Sequence, residues 1–178
     1  MSEAQSALVT GPWFGRAMAA LRVFFGLVYF HNGVAKLLPA VDGLWPNTPL
    51  GFVIQATGER SARSILQFEV VMQAHPVGPY RDIVENVVLP NFGVFVAGIG
   101  VLETVVGLLL ILGLLTPVAA ILAAGMALHL QFATLWNDKW LYEYSVEWLP
   151  LLCLAAFRAG RWHGLDGRMV RTRDRWPG

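Results

Sequence analysis

Four apolar runs in this 178-residue chain carry groups able to do acid–base or redox chemistry. Glu103 sits in the middle of Phe92–Leu115, which holds no other charge. A carboxylate at the centre of a bilayer costs about 3 kcal/mol or more, so such residues are rare and tend to mark a site. The other runs hold Arg22 with Lys36, then His129, then Glu143 with Glu147. At 100° per residue, Arg22, Gly26, Tyr29, Gly33 and Lys36 form one narrow helical stripe. Glycines mark faces where helices approach closely, so this stripe should pack inward. The same reasoning turns Glu103 inward with Gly100 and Gly107. It places His129 inward with Gly125, Phe132, Ala133 and Trp136, and groups Glu143 and Glu147 with Trp140, Leu151 and Leu154. Pro150 frees a backbone carbonyl near Glu147.

These residue types suit a quinone or proton site. Quinone carbonyls need hydrogen-bond donors and the ring needs aromatic walls. Glu103, His129 and Glu147 are the candidate catalytic groups, with a His–Glu pair able to relay protons. Arg22, Tyr29, Lys36, Phe132, Trp136, Trp140 and Glu143 are the candidate quinone-binding residues. The bland alternative is that the ion pairs only hold the helices together. Against it, apolar packing would do so without desolvating charges. Matched depths predict a direct or water-bridged Arg22–Glu103 salt bridge, lying below a His129–Glu147 level, with Lys36 and Glu143 near the outer end. His31 lies opposite the Arg22 stripe and is not placed in the core. His75 and His163 read as solvated. No metal site is expected: His129, Glu143 and Glu147 match no closed ligand spacing, and bis-histidine haem fails on the direction of His31.

The elements that position these residues follow from composition. The chain is 56% hydrophobic and 14% charged, against about 25% charged in soluble domains. An integral membrane protein of one domain, 1–178, is expected, without a nucleic-acid partner. Spans of about 20 apolar residues fall at 17–38, 92–115, 117–136 and 140–157. Thr116-Pro117 reads as an N-cap followed by a first-turn proline. The tail 158–178 carries Arg158, Arg161, Arg168, Arg171, Arg173 and Arg175, which puts it and the N-terminus on the cytoplasmic side. The loop 39–91 is then extracytoplasmic, with five acids against three arginines. Within it Trp45–Gly51 reads as a turn and Ser61–Gln73 as a short helix. Tyr80, Ile83, Val84, Val87 and Val88 give a second, amphipathic helix its apolar face. The N-terminal segment does not read as a cleaved signal peptide, so the first span should persist in the mature protein. Cys153 is the single cysteine, which excludes an intrachain disulfide, and there is no CxxCH, Walker loop, GxGxxG or HExxH. A redox cofactor must be non-covalent or sit on another subunit.

Taken together, these motifs resemble the DoxX family of small four-helix membrane proteins. Leu21-Arg22, Gly26, Phe30, Gly33 and Lys36-Leu37 are close to its first-span pattern. Glu103, Gly107–Leu110 and Leu112–Ala120 match its second, and Glu147, Gly160-Arg161-Trp162 and Leu165-Asp166 its C-terminal one. The resemblance implies an all-α membrane four-helix bundle in a bacterial or archaeal cell membrane, associated with redox complexes. One branch, DoxD-like, is the small subunit of a thiosulfate:quinone oxidoreductase. The 53-residue outer loop is longer than a minimal member needs and resembles that branch or a docking surface. The expected function is a quinone-interacting membrane subunit whose electrons come from a partner subunit. The alternative is a non-catalytic structural subunit of a larger respiratory or photosynthetic complex. Partners would be the bilayer and either other membrane or extracytoplasmic subunits or further copies of the chain. Proton-coupled transport fits less well, because inverted repeats and broken helices are lacking.

Overall fold

A computed structural model describes residues 12–38, 59–134, 136 and 141–173, with side chains left aside at 12, 59, 141–144 and 171–173. Every regular element among the described residues is a helix, with no strand. Helix α1 spans Pro12–Leu37. Glu59–Ile65 continues as π-helix Leu66–Met72 (together α2), and Gly78–Ile83 continues as π-helix Val84–Val88 (together α3). Then come α4 (Phe92–Leu112), α5 (Thr116–Thr134), α6 (Leu141–Ala156), a 3₁₀ turn Ala159–Arg161, and α7 (Leu165–Arg173). Three of these, Trp13–Leu37, Phe92–Leu112 and Thr116–Thr134, are long and apolar enough to cross a membrane.

Helix α1 packs mainly on α4, and α5 mainly on α6. The α1–α4 contact is antiparallel and glycine-mediated. A methyl added at Gly26 would meet Ile111, one at Gly33 would meet Thr104, and one at Gly107 would lie 2.6 Å from Phe30 Cα. No side chain fits between backbones that close, so glycine here is a packing requirement. The core shared by the four long helices contains Phe25, Tyr29, Val106, Leu110, Ala119, Ala120, Ala123, Ala124, Leu151 and Leu154. Outside it, Val94, Ile99, Val101, Val105, Leu108, Val118 and Ile121 stand exposed. Such an apolar surface suits lipid rather than water.

The inward face of α5 differs from the expected one. Thr116, Ala119, Ala120, Ala123, Ala124, Ala127, Gln131 and Thr134 are buried, as is Ala133 of the expected face, while Gly125 meets open space and His129 and Phe132 are exposed. Alanine, not glycine, provides the close-packing stripe in this helix. In α3 the expected apolar face is narrower than five residues: Val84 is buried, while Ile83 and Val87 are exposed. Its second half bonds i→i+5, as Leu89 N–H to Val84 O at 2.9 Å shows, and the 3.6-residue period no longer holds there.

Helix α4 ends at Leu112, short of the expected Leu115. Gly113 takes a left-handed φ of 66°, and Leu114 N–H bonds Leu109 O at 3.0 Å. This is the Schellman closure that glycine favours. Thr116 then opens α5 without capping it: its Oγ1 is buried with no hydrogen-bond partner among the described residues. The cap comes from far along the chain. Asp166 accepts Leu115 N–H on Oδ1 at 2.8 Å and Thr116 N–H on Oδ2 at 3.0 Å. A carboxylate there satisfies orphan amides and complements the helix dipole.

Candidate functional site

Three constellations lie along the long helices. The first is the ion pair inside the α1–α4 interface. The stripe Arg22, Gly26, Tyr29, Gly33 and Lys36 is buried along its length. Lys36 Nζ lies 2.6 Å from Glu103 Oε2, with the two side chains only 6% and 13% exposed. Asn32 O accepts a second, longer bond from Nζ at 3.5 Å. Two turns further in from Lys36, the Tyr29 hydroxyl donates to Ala123 O at 2.8 Å, tying α1 to α5.

Arg22 does not reach Glu103. Its guanidinium abuts Gly113, and the antiparallel register puts that level roughly 15 Å from Glu103 at 1.5 Å per residue. Nη1 donates instead to Ala159 O at 3.1 Å and Trp162 O at 3.2 Å, and Nη2 to His163 O at 3.4 Å. Depth alone suggests Arg22 as the partner of Glu103. The register selects Lys36, one turn beyond the level of Glu103, and leaves Arg22 to hold the C-terminal segment against the basic end of the bundle.

The second constellation is aromatic and lies at the opposite end. His75 is 1% exposed, not solvated as expected. Its Nδ1 accepts Val77 N–H at 3.2 Å, and its Nε2 lies 3.1 Å from Phe132 O. One neutral tautomer satisfies both: the proton is on Nε2 and donates to Phe132 O. That carbonyl lies in the last turn of α5, where the helix supplies no partner. Tyr80, Phe132 and Trp136 surround the imidazole with ring centroids at 4.9, 5.0 and 6.1 Å. Tyr80 Oη then meets His129 Nε2 at 3.2 Å. Burial pushes the Tyr80 phenol above its ordinary range, so it stays protonated as a donor. His129, Phe132 and Trp136 all stand exposed on the outward side of this cluster.

The third is the C-terminal clasp of Arg22 and Asp166 already described. The matching family model covers residues 18–177, from before Arg22 to beyond Asp166, and its description reads TQO small subunit DoxD. The chain belongs to the DoxD family. This is a DoxX-related membrane family, that of the small subunit of thiosulfate:quinone oxidoreductase-like complexes. No curated protein and no solved structure matches the chain.

In this DoxD chain the expected site residues divide. Lys36 and Glu103 meet, with Tyr29 two turns from Lys36 along α1. His129, Phe132 and Trp136 meet elsewhere, in company with Tyr80 and His75. The expected His129–Glu147 pair is replaced by His129–Tyr80. Gln131 accepts from Trp148 Nε1 at 2.7 Å, so it faces α6. His129 is two residues back, roughly 200° around the helix, and points away from α6. Glu147 is exposed, beside buried Leu151 and Leu154. The Glu143 side chain, Trp140 and the Trp45–Gly51 turn lie outside the described residues. His31 is buried, at 8% exposure, despite its place opposite the Arg22 stripe. His163 is exposed, as expected. Tyr80 and His75 could have been singled out from the sequence by one signal: two aromatic or imidazole side chains flanking the Pro76–Pro79 turn.

Proposed function

We propose that this DoxD protein is the quinone-interacting membrane subunit of an oxidoreductase, and that quinone meets it at the aromatic cluster of α3 and α5. The observation that carries this reading is the Tyr80–His129 pair, an O–H and an imidazole 3.2 Å apart at an exposed edge of α3 and α5. Quinone, when bound, would accept electrons from a partner subunit, because the chain holds no donor chemistry of its own. His129, accepting from Tyr80 on Nε2, would donate from Nδ1 to a quinone carbonyl, and Tyr80 would supply a proton through the imidazole. Phe132 and Trp136 would wall the ring. His75, locked in one tautomer, would hold the Phe132 and Tyr80 rings in place. In this reading α6, roughly 24 Å long, crosses as the fourth span, and the basic C-terminal end faces the cytoplasm. Partner subunits would dock on the face bearing α2 and α3.

A photoreactive short-chain quinone tests this. Crosslinks should fall on residues 75–80 and 129–136 and drop sharply in His129→Ala and Tyr80→Phe. Labelling elsewhere, or labelling indifferent to both substitutions, would refute the site.

One observation favours the alternative of a structural subunit. Lys36, Glu103 and Arg22 are all taken up by internal bonds, which leaves none of the three turned toward a ligand. On that reading the quinone crosslinks fail while assembly with partner subunits is unaffected by His129→Ala.

A further inference from the structure

The basic end of the bundle contains a cleft of about 340 Å³ lined by Arg161, Trp162, His163, Gly164, Gly167 and Arg168. We infer that it binds the phosphate headgroup of an anionic phospholipid.

The backbone is arranged for an anion. The carbonyls of Trp162 and His163 are both turned inward onto the Arg22 guanidinium. In a trans peptide the N–H points opposite its C=O. The N–H groups of His163 and Gly164 therefore turn away from Arg22, to the outer side of the same turn. Neither donates to an acceptor among the described residues. His163 has a left-handed φ of 53°, and successive N–H groups around such a residue form a concave anion nest. The exposed side chains of Arg161 and Arg168 add charge at its rim. Asp166, the acid closest along the chain, turns its two oxygens to the amides of Leu115 and Thr116.

The surroundings select a lipid over a free anion. Trp162 packs edge-on against Phe14 at 5.3 Å, and Phe14 against Phe157 at 5.6 Å. Trp13, Leu115 and Phe157 stand 76%, 55% and 46% exposed at this same end of the helices. A cationic cleft above an apolar skirt fits a molecule with a phosphate head and acyl chains, and basic pockets at this depth characteristically hold anionic headgroups. This inference is independent of the quinone reading.

The experiment is native mass spectrometry of the detergent-purified protein offered equal amounts of phosphatidylglycerol and phosphatidylcholine. The wild type should retain phosphatidylglycerol preferentially. Each arginine near an anionic headgroup contributes roughly fivefold, so Arg168→Ala should lose about that factor, and Arg161→Ala with Arg168→Ala about 30-fold. Arg16→Ala removes a cation from the same end but outside the cleft, where it sits over Trp13, and should leave retention unchanged. If the double variant fails to fold, the single one decides. Undiminished retention in Arg168→Ala, or an equal loss in Arg16→Ala, would overturn the assignment. So would displacement of the lipid by millimolar inorganic phosphate, which would make this a site for the free anion.

Discussion

Removing one member of the Lys36–Glu103 pair should destabilise the bundle far more than removing both. The atoms are 2.6 Å apart and the two side chains are 6% and 13% exposed, so the survivor of a single substitution gains little water. In Glu103→Gln the ammonium keeps only the weak bond to Asn32 O at 3.5 Å and whatever the amide oxygen offers. Stranding a buried charge costs about 3–5 kcal/mol. A second route sets a ceiling of similar size. An ordinary lysine can be neutralised at pH 7 for about 4.6 kcal/mol, and an ordinary glutamate for about 3.7 kcal/mol. Lys36→Met should therefore cost no more than about 4 kcal/mol and Glu103→Gln no more than about 5. For a chain of this size, each kcal/mol lowers the melting temperature by roughly 2–4 °C. Thermal unfolding in detergent, followed by tryptophan fluorescence, should show both single variants lowered by about 6–20 °C. The double variant Lys36→Met with Glu103→Leu should recover most of that loss, because an apolar pair of similar volume pays no desolvation cost. A double variant as unstable as the singles would refute the reasoning, as would a Glu103→Gln protein that melts with the wild type.

Three further outcomes are expected. Arg22→Met removes the three bonds to the carbonyls of Ala159, Trp162 and His163 and should release the C-terminal segment, seen as faster tryptic cleavage after Arg161 with α1–α4 intact. Asp166→Ala strips the N-terminal cap from α5 and should cost about 1–2 kcal/mol, read as a lower melting temperature; an unchanged one would show that water replaces the carboxylate. Gly107→Ala should disrupt folding, since its methyl meets the Phe30 backbone, whereas Gly98→Ala, with open space around it, should be neutral within about 0.5 kcal/mol in the same assay.

The all-helical architecture and its three long apolar helices are legible in the sequence because run length and residue spacing carry them directly. The Arg22–Lys36 stripe is legible for the same reason: glycines and charges share a 3.6-residue period, and only one face can hold both. What the stripe cannot reveal is the register between α1 and α4. Partner choice for Glu103 depends on that register, which brings Lys36 to its level and leaves Arg22 roughly four turns away from Lys36 along α1. In α5 the glycine rule misleads, because six buried alanines pack more extensively than one glycine. Thr116 shows the limit of local motifs. A Thr-Pro dipeptide suggests a self-contained cap, yet the acceptor arrives from Asp166, which no spacing rule connects to it. His75 is marked only by its place beside the Pro76–Pro79 turn, because capping a distant helix leaves no periodic trace.

The pairing of α1 with α4 also has a consequence for biosynthesis. Lys36 and Glu103 are 67 positions apart, and chains elongate at about 5–20 residues per second. Lys36 therefore leaves the ribosome roughly 3–13 s before its counter-charge exists. During that interval α1 must reside in the insertion machinery or the lipid with an unmatched ammonium. Its place at the last turn of the helix makes the wait tolerable, because a lysine there can extend its stem to the headgroups. When α4 arrives, the ammonium must leave that refuge and move inward to the carboxylate. The ion pair thus closes late in assembly, and an α1 that has not met α4 keeps its lysine at the surface.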